Sequence, residues 1–447
     1  MNELYTIRDF ANLAPSPTWG STLVEALAER SQHDGLSALL FITDADQAFA
    51  CGGALGGLPV LIKDNIDTKD LPTTAGSLAL SLDPPKQDAT VVARLRQAGA
   101  TILGKTNLSE WANFRGFASV SGWSGRGGIT RNPHDPARST GGSSSGSAVA
   151  VAAGYVPVAI GTETDGSILC PAAMNGVVGF KSTPGKIDRT GVIPLSRTQD
   201  SVGIFANRAA DARSVAEHLI DGPNEPVRPR YVVLESLFDG LTPKTLATFE
   251  ATVTRLSDLG IPITRLEKVD QGTLKPNEEA ELIVLAYEMA DDLEKYLVER
   301  GDLTSRSLVD VITFNNHHQQ QELGLFGQEL LMMGVERPWD EVTYRKARDS
   351  NRREAQLGID SALRLGEGDI LLAPTMNAAW LIDIVNGDPA TAATWSPAAV
   401  AGYPSLTLPI GKLGHLPIGM TMISRAHTDL ALLAEADHLQ TALEGAS

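Results

Sequence analysis

Apolar and polar positions alternate along the chain in a way that predicts repeated β-α-β units. Residues 231–236 (YVVLES) predict a strand, residues 243–260 an amphipathic helix, and residues 261–267 (IPITRLE) a second strand. Residues 88–99 have the apolar spacing of a helix, and the apolar segment ATILGKT follows them as a short strand. This alternation is typical of a largely parallel sheet covered by helices.

The pattern changes in the second half of the chain. Residues 276–366 consist of long, charged, amphipathic segments, which predict a helical insertion or cap. Three apolar strand patterns then follow (DILLAP, PSLTLPI and GMTMIS), before a final helix around LALLAEADHL. We expect strands from both ends of the sequence to share one sheet. The length of 447 residues fits either two units or one large α/β domain with insertions.

Composition narrows the classes of protein and of partner. The formal net charge is −17, which repels nucleic-acid phosphates and anionic membranes, so we expect neither as a partner. Cys51 and Cys170 are the only cysteines, too few for a disulfide framework or a zinc cluster. The N-terminus has no apolar core typical of a signal peptide, and the uncharged stretch of small residues at 147–161 is too short to span a bilayer. We therefore expect a cytoplasmic protein.

Lys63 lies in the first of three segments that look unlike ordinary structural sequence. In this segment, GGLPVLIKDNID (56–67), the lysine follows an apolar run and is expected at the end of a buried strand. Burial disfavours the charged form of a lysine and lowers its pKa, which allows it to act as a base. An ion pair with Asp64 or Asp67 is the structural alternative.

The second segment, STGGSSSGSAVAVAAG (139–154), brings glycines and hydroxyl groups into one loop. Its Gly142–Gly146 portion matches G-x-S-x-G, which would make Ser144 the nucleophile of an α/β-hydrolase. That motif requires an apolar strand before it, whereas NPHDPARST precedes it here, so we interpret the match as accidental. A phosphate-binding loop lacks its lysine, and a flexible turn is the remaining alternative.

The third segment, AIGTETDGSILCPAAMNGVVGFKST (159–183), contains a tight turn at Thr164-Asp165-Gly166-Ser167. Successive backbone N–H groups of such a turn can converge on a tetrahedral oxyanion, with Ser167 as the attacking hydroxyl. A small-residue turn packed against the sheet explains the segment equally well.

Taken together, the three segments resemble the amidase signature family. A lysine-containing segment, a GGSSGGSA-like loop and a GTDxGGSI-like turn occur in the family's order, and the resemblance is weakest over residues 276–366. Ser145 stands where most members have glycine, and Ser182 where proline is usual. The resemblance implies an α/β fold of one domain, residues 1–447. It has a large mixed, mostly parallel sheet with helices on both faces, and the helical insertion forms part of a substrate pocket.

The resemblance also assigns roles to individual residues. It implies that Ser167 is the nucleophile, that Ser143 follows a cis peptide bond and relays the proton, and that Lys63 is the base. Ser144 is expected to support this set through hydrogen bonds. The oxyanion hole would consist of four consecutive backbone N–H groups, those of Thr164, Asp165, Gly166 and Ser167.

Several motifs, including SEWANFRG and GTETDGSI, are most similar to those of bacterial peptide amidases. We therefore expect a hydrolase of linear amide C–N bonds that needs no cofactor or metal and acts as a monomer or homodimer. Its substrates would be small hydrophobic or aromatic amides, including amidated peptides, with esters and carbamates (urethanes) as side substrates. The candidate pocket residues, for which core packing is an equal alternative, are Trp111, Trp123, Met332, Met333 and Trp339.

Two other functions remain open at this point. A glutamine-hydrolysing component of a tRNA-dependent amidotransferase complex would use the same chemistry but pass ammonia to a partner. A non-catalytic binding module could share the fold. Intact Lys63, Ser143 and Ser167 argue against the module, because a degenerate member would be free to lose any of them.

Overall fold

A computed structural model describes the chain at residues 6–12, 19–44, 52–301, 304–389 and 392–445. Cys51 lies outside these residues, whereas Cys170 is buried and unpaired. No helix among the described residues is long and apolar enough to cross a membrane.

In the described part of the chain, eleven strands form one sheet and two short strands form a separate ladder. The strands are β1 (Leu39–Ile42), β2 (Pro59–Lys63), β3 (Thr101–Thr106), β4 (Trp123–Ser124), β5 (Gly128–Ile129), β6 (Val158–Glu163), β7 (Val178–Lys181), β8 (Ser201–Ala206), β9 (Tyr231–Leu234), β10 (Ile263–Leu266), β11 (Ile370–Pro374), β12 (Ser405–Leu413) and β13 (Leu416–Ile423). The large sheet has the order β1-β3-β2-β6-β8-β7-β12-β13-β11-β9-β10, and β4 pairs with β5. Strands from both ends of the sequence therefore share one sheet, as predicted.

Parallel and antiparallel pairs occupy different parts of this sheet. One parallel block consists of β3, β2 and β6, and another of β11, β9 and β10. Between them, β6, β8, β7, β12, β13 and β11 pair antiparallel in turn. The sheet is thus mixed: its two parallel blocks, whose strands are connected by helices, lie on either side of the antiparallel strands. At one edge of the sheet, β1 pairs antiparallel with β3. The predicted unit at residues 231–267 is confirmed, because β9 and β10 pair in parallel on either side of a helix.

The helices are α1 (Ile7–Asn12), α2 (Trp19–His33), α3 (Thr90–Gln97), α4 (Ser145–Ala152), α5 (Leu169–Asn175), α6 (Ala209–Leu219), α7 (Pro243–Asp258), α8 (Glu278–Arg300), α9 (Leu308–His317), α10 (Gln319–Glu322), α11 (Glu329–Glu336), α12 (Glu341–Leu365), α13 (Ser396–Ala401) and α14 (Asp429–Gly445). Short 3₁₀ helices lie at Glu110–Asn113 and Glu235–Phe238. Helices α8 to α12 fall within the predicted helical region 276–366.

Helices cover both faces of the sheet. Val60 and Ile62 of β2 pack in a cluster with α3, α6, α7 and α14, whereas Leu61 of the same strand packs with α2, α4 and α5. Successive side chains of a strand point to opposite faces, so the two clusters lie on the two sides of the sheet. The predicted α/β architecture is therefore confirmed.

The parallel pairing of β2 with β6 positions the candidate site. Ile62 of β2 is paired with Ile160 of β6, so the two strands end side by side. The carboxyl end of β2 carries Lys63, and the carboxyl end of β6 leads through Glu163 into the turn at residues 164–167. In open α/β sheets, ligands bind beyond the carboxyl ends of such strands.

Candidate active site

Lys63 is fully buried at the end of β2 and faces the serine loop. Its Nζ lies 2.7 Å from Ser143 Oγ, 2.9 Å from Thr162 Oγ1 and 3.3 Å from the Thr162 carbonyl oxygen. No ion pair of Lys63 with Asp64 or Asp67 occurs among the described residues, since Asp64 pairs with Lys105 instead, at 3.4 Å. The alternative prediction, that Lys63 forms an ion pair with Asp64 or Asp67, is therefore wrong.

Burial lowers the pKa of Lys63 to about 7, because the ammonium loses its hydration. The negative charges of Asp200 and Glu163 partly oppose this effect. A substantial fraction of Lys63 is thus neutral near pH 7. A neutral amine has two N–H groups and one lone pair, so it can donate to Thr162 while it accepts the hydroxyl proton of Ser143.

Ser143 follows a cis peptide bond from Gly142, as the family resemblance implied. Its carbonyl accepts a hydrogen bond from the Ser109 amide at 3.0 Å, which fixes the loop. A side-chain carbon on Gly142 would lie 2.2 Å from Ser109 Oγ, so only glycine fits at this position. The loop then enters α4 directly, without the preceding strand that an α/β-hydrolase elbow requires.

Ser144 connects the serine loop to the segment after β6. Its Oγ donates to the Thr162 carbonyl at 2.9 Å, and its backbone N–H donates to the Ser167 carbonyl at 3.1 Å. These contacts bring Lys63, Ser143 and Ser167 into one place. The supporting position predicted for Ser144 agrees with this geometry.

The turn at residues 164–167 has backbone donors that remain available. Within the described residues, the N–H groups of Thr164, Asp165 and Ser167 donate no hydrogen bond to another protein group, while that of Gly166 faces the Glu163 carboxylate. Gly166 has a φ of +77°, and a side-chain carbon there would lie 2.3 Å from Trp395 Nε1. Trp395 therefore packs directly on the turn.

Glu163 holds the end of this turn from inside the protein. Its Oε2 accepts hydrogen bonds from the Ile168 and Leu169 amides at 2.7 and 3.0 Å, at the beginning of α5. Burial raises the pKa of Glu163, whereas the charge of Lys181 and these amides oppose the rise. The carboxylate thereby fixes the orientation of the turn relative to α5.

Asp200 holds the other side of the turn. Thr164 Oγ1 donates to Asp200 Oδ1 at 2.6 Å, and the Leu195 and Ser196 amides each donate to Asp200 Oδ2 at 2.9 Å. Burial raises the pKa of this carboxyl, which the same hydrogen bonds oppose. Asp200 is also the largest of the negative influences on Lys63.

The segment between β11 and α13 borders both the serine loop and the turn. The Ser139 amide donates to the Trp380 carbonyl at 2.8 Å, and Trp395 packs against Gly166. Asp388 fixes this segment, because it accepts hydrogen bonds from the Ser121 amide at 2.8 Å and from Trp380 Nε1 at 3.0 Å. Trp380 and Trp395 of this segment therefore contact the two parts of the chain that carry Ser143 and Ser167.

The five predicted pocket residues do not lie together. Trp111 is buried in a cluster with residues of α8, and Trp123 is buried against Phe326 with ring centroids 5.1 Å apart. Met333 and Trp339 pack at the edge of the Trp111 cluster, while Met332 is exposed. Their contact with a substrate stays a prediction.

Sequence reasoning missed several residues that the structure brings to this site. Thr162 and Glu163 lie within the GTETDGSI segment, a few residues before Ser167, so their place in the sequence could have identified them as site residues. Asp200, Trp380 and Trp395 carry no local motif, and only the fold brings them close.

Comparisons with known proteins show the family of this chain. The family model described as Amidase matches residues 37–433. The chain belongs to the amidase family. It is accordingly a hydrolase acting on amide C–N bonds, in a family for which a serine nucleophile is typical.

Individual relatives include different kinds of amidase. This chain is 40% identical in sequence to the peptide amidase PAM in a crystal structure with the competitive inhibitor chymostatin. The match has a TM-score of 0.85 and covers 94% of each chain. A probable amidase of Arabidopsis thaliana is 33% identical over 82% of this chain and 73% of its own length. A glutamyl-tRNA(Gln) amidotransferase component of Symbiobacterium thermophilum is 31% identical over 85% of this chain and 82% of its own length.

We predict that Asp200→Asn moves the rising limb of the pH profile of kcat/KM to lower pH. The substitution removes the charge that most strongly favours protonated Lys63, so the lysine becomes neutral at lower pH. The measurement is kcat/KM on an amide substrate across the range in which Lys63 titrates. Asp239→Asn, at an exposed ion pair with Lys275, is the control for loss of a carboxylate. An unshifted limb in Asp200→Asn would contradict the electrostatic role.

Proposed function

We propose that this enzyme hydrolyses carboxylic amides with Ser167 as nucleophile, Ser143 as proton relay and Lys63 as base. The observation that carries the proposal is the 2.7 Å contact between Lys63 Nζ and Ser143 Oγ, beside the turn that bears Ser167. A buried, largely neutral lysine next to a hydroxyl is the arrangement that an activated serine needs.

The proton moves from Ser167 through Ser143 to Lys63 as Ser167 Oγ attacks the amide carbonyl. No hydrogen bond joins the Ser143 and Ser167 hydroxyls in the described structure. Catalytic hydrogen bonds commonly tighten only when substrate is bound, so this part of the relay closes in the substrate complex.

The tetrahedral oxyanion is stabilised by the free backbone N–H groups of the turn at residues 164–167. Collapse of the intermediate expels the amine, which receives through Ser143 the proton that Lys63 had accepted from Ser167. Water then attacks the ester bond of the acyl-enzyme and gives its proton to the same relay, so that the carboxylic acid leaves and Ser167 is restored.

The substrate pocket lies against the segment that contains Trp380 and Trp395. The same segment exposes three apolar side chains to solvent, those of Leu381, Ile384 and Val385, and the exposed fraction of Val385 is 80%. An apolar wall next to the nucleophile favours hydrophobic or aromatic acyl groups, including amidated peptides, with esters and carbamates as side substrates. The similarity to peptide amidase PAM over 94% of both chains supports this class.

The burial of Trp111 and Trp123 gives them a packing role in this proposal. Trp123 also lies under the Arg115 guanidinium, 4.7 Å from its ring centroid, which further fixes it inside the protein. The aromatic contribution to the pocket then comes from Trp380 and Trp395. The region 276–366 contributes through α8, which supports the turn.

The alternative function is glutamine hydrolysis within an amidotransferase complex, which is considered because an amidotransferase component is 31% identical. Free glutamine carries an ammonium and a carboxylate, which an apolar wall leaves unpaired. We therefore propose a stand-alone enzyme, made of one domain over residues 1–447, which acts in the cytoplasm on small amides.

We predict that a fluorophosphonate probe labels Ser167 and that Ser167→Ala abolishes the labelling. Ser143→Ala should label at least tenfold more slowly, because water replaces only part of the relay. Mass spectrometry of peptides from the labelled protein identifies the modified residue. Ser145→Ala, whose hydroxyl donates to the Gly141 carbonyl at 2.6 Å, is the control for loss of a hydroxyl from the same loop. Labelling at another residue would contradict the assignment.

We predict that an N-acetylated, amidated hydrophobic dipeptide has a kcat/KM at least 100-fold higher than that of glutamine, since it carries neither of the two charges that the apolar wall leaves unpaired in glutamine. A p-nitroanilide and an aryl carbamate should fall between them. The measurement uses the isolated chain without ATP or a partner, with Ser167→Ala as the background control. A preference for glutamine would favour the amidotransferase function instead.

A further inference from the structure

The side chain of Asp165 contacts residues of α13 and α8. Its Oδ1 accepts a hydrogen bond from Ser396 Oγ at 3.0 Å, and its carboxyl group shares a hydrogen bond with that of Glu281. The GTDxGGSI-like pattern of the family has glycine where this chain has Asp165. A carboxyl group at this position therefore connects the oxyanion turn to a helix of the region that resembles the family least.

Glu281 is held in place from the other side. Its Oε1 accepts a hydrogen bond from Gln199 Nε2 at 2.8 Å, and the same nitrogen lies 3.5 Å from the Thr164 carbonyl oxygen. Gln199 is buried. Glu281 thus contacts the turn directly through Asp165 and indirectly through Gln199.

A second carboxylate of α8 fixes the loop that contains Gln199. Glu288, seven residues after Glu281 and on the same helix face, is fully buried. It accepts hydrogen bonds from Ser196 Oγ at 2.5 Å, from Thr198 Oγ1 at 3.0 Å and from Tyr344 OH at 2.6 Å. The face of α8 therefore holds both the turn and the loop of Asp200.

We propose that Asp165 and Glu281 form a carboxyl pair that shares one proton and holds the oxyanion turn against α8, which makes Glu281 a positioning residue for the reaction. Two carboxylates at hydrogen-bond distance repel each other, so the contact exists only while the pair keeps its proton. This inference rests on the proposed function for its effect on catalysis, but the contact itself does not depend on it.

The surroundings of the pair favour retention of the proton. Burial raises the pKa of both carboxyl groups, with Glu281 and Glu163 adding to the rise at Asp165, and Glu278 adding to it at Glu281. Neutral hydrogen-bond partners, Gln199 and Ser396, face the pair from the loop before β8 and from α13. Among the described residues, the one cation linked electrostatically to the pair is Lys181 on β7, whose pKa the Asp165 charge raises.

Loss of the shared proton at alkaline pH has two consequences. The turn and α8 then repel each other, and a second negative charge lies beside the position where the oxyanion develops. Both effects destabilise the transition state more than the ground state. The wild-type rate should therefore rise as Lys63 becomes neutral and fall again as the pair loses its proton.

The first arm of the test is infrared difference spectroscopy of the wild type against Asp165→Asn. We expect a protonated-carboxyl C=O band that is present in the wild type at neutral pH, absent from the variant, and lost from the wild type at alkaline pH. Absence of such a band would overturn the shared proton. The infrared band tests the shared proton independently of catalysis. If the wild type neither labels at Ser167 nor hydrolyses amides, the proposed function is refuted, but the band still decides whether the pair shares a proton.

The second arm is kinetic. Glu281→Ala should lower kcat at least tenfold with little change in KM, because the lost support acts on the transition state. Glu281→Gln keeps the contact without a titrating proton, so it should recover most of kcat and lose the alkaline fall. Glu279→Gln, at an exposed position of α8, is the control for loss of charge. Thermal unfolding checks that each variant folds. If Glu281→Ala does not fold, the pH profile of Glu281→Gln tests the proposal by itself. An alkaline fall unchanged in Glu281→Gln would overturn the proposal.

Discussion

The burial of Lys63 at the end of β2 is the constraint on which the rest of the site depends. An ammonium without water at this position is unstable, so the lysine releases its proton near neutral pH and becomes a base. The charges of Asp200 and Glu163 keep its pKa from falling further. In the proposed mechanism, the amine therefore takes a proton from Ser143 and later returns it to the leaving group.

The same residues that set this charge balance also shape the oxyanion turn. Glu163 holds the amides at the beginning of α5, and Asp200 holds Thr164. A backbone turn stabilises an oxyanion only when its N–H groups are already oriented. In the proposed mechanism, these buried carboxylates and the support from α8 therefore contribute to the rate through geometry. Glu163 and Asp200 thus act both on the pKa of Lys63 and on the orientation of the turn, so a substitution of either residue changes both.

Local patterns predicted much of the fold and the burial of Lys63. The apolar run before Lys63 predicted its burial, and the spacing at residues 231–267 predicted a parallel pair that the structure contains. The roles of Ser143 and Ser167 came from the family resemblance, because their segments alone also fitted ordinary turns.

The pocket could not be derived in the same way. An aromatic such as Trp111 has the same local pattern whether it packs in a core or faces a substrate, and only the tertiary fold shows that it is buried. Trp395 and Glu281 reach the turn from distant parts of the sequence without any motif of their own.

The most direct test of the account is the rate of amide hydrolysis by Lys63→Arg across the pH range. A guanidinium does not release its proton, so the account predicts a loss of at least about 100-fold in kcat at every pH. An arginine variant with wild-type activity would show instead that position 63 supplies only positive charge.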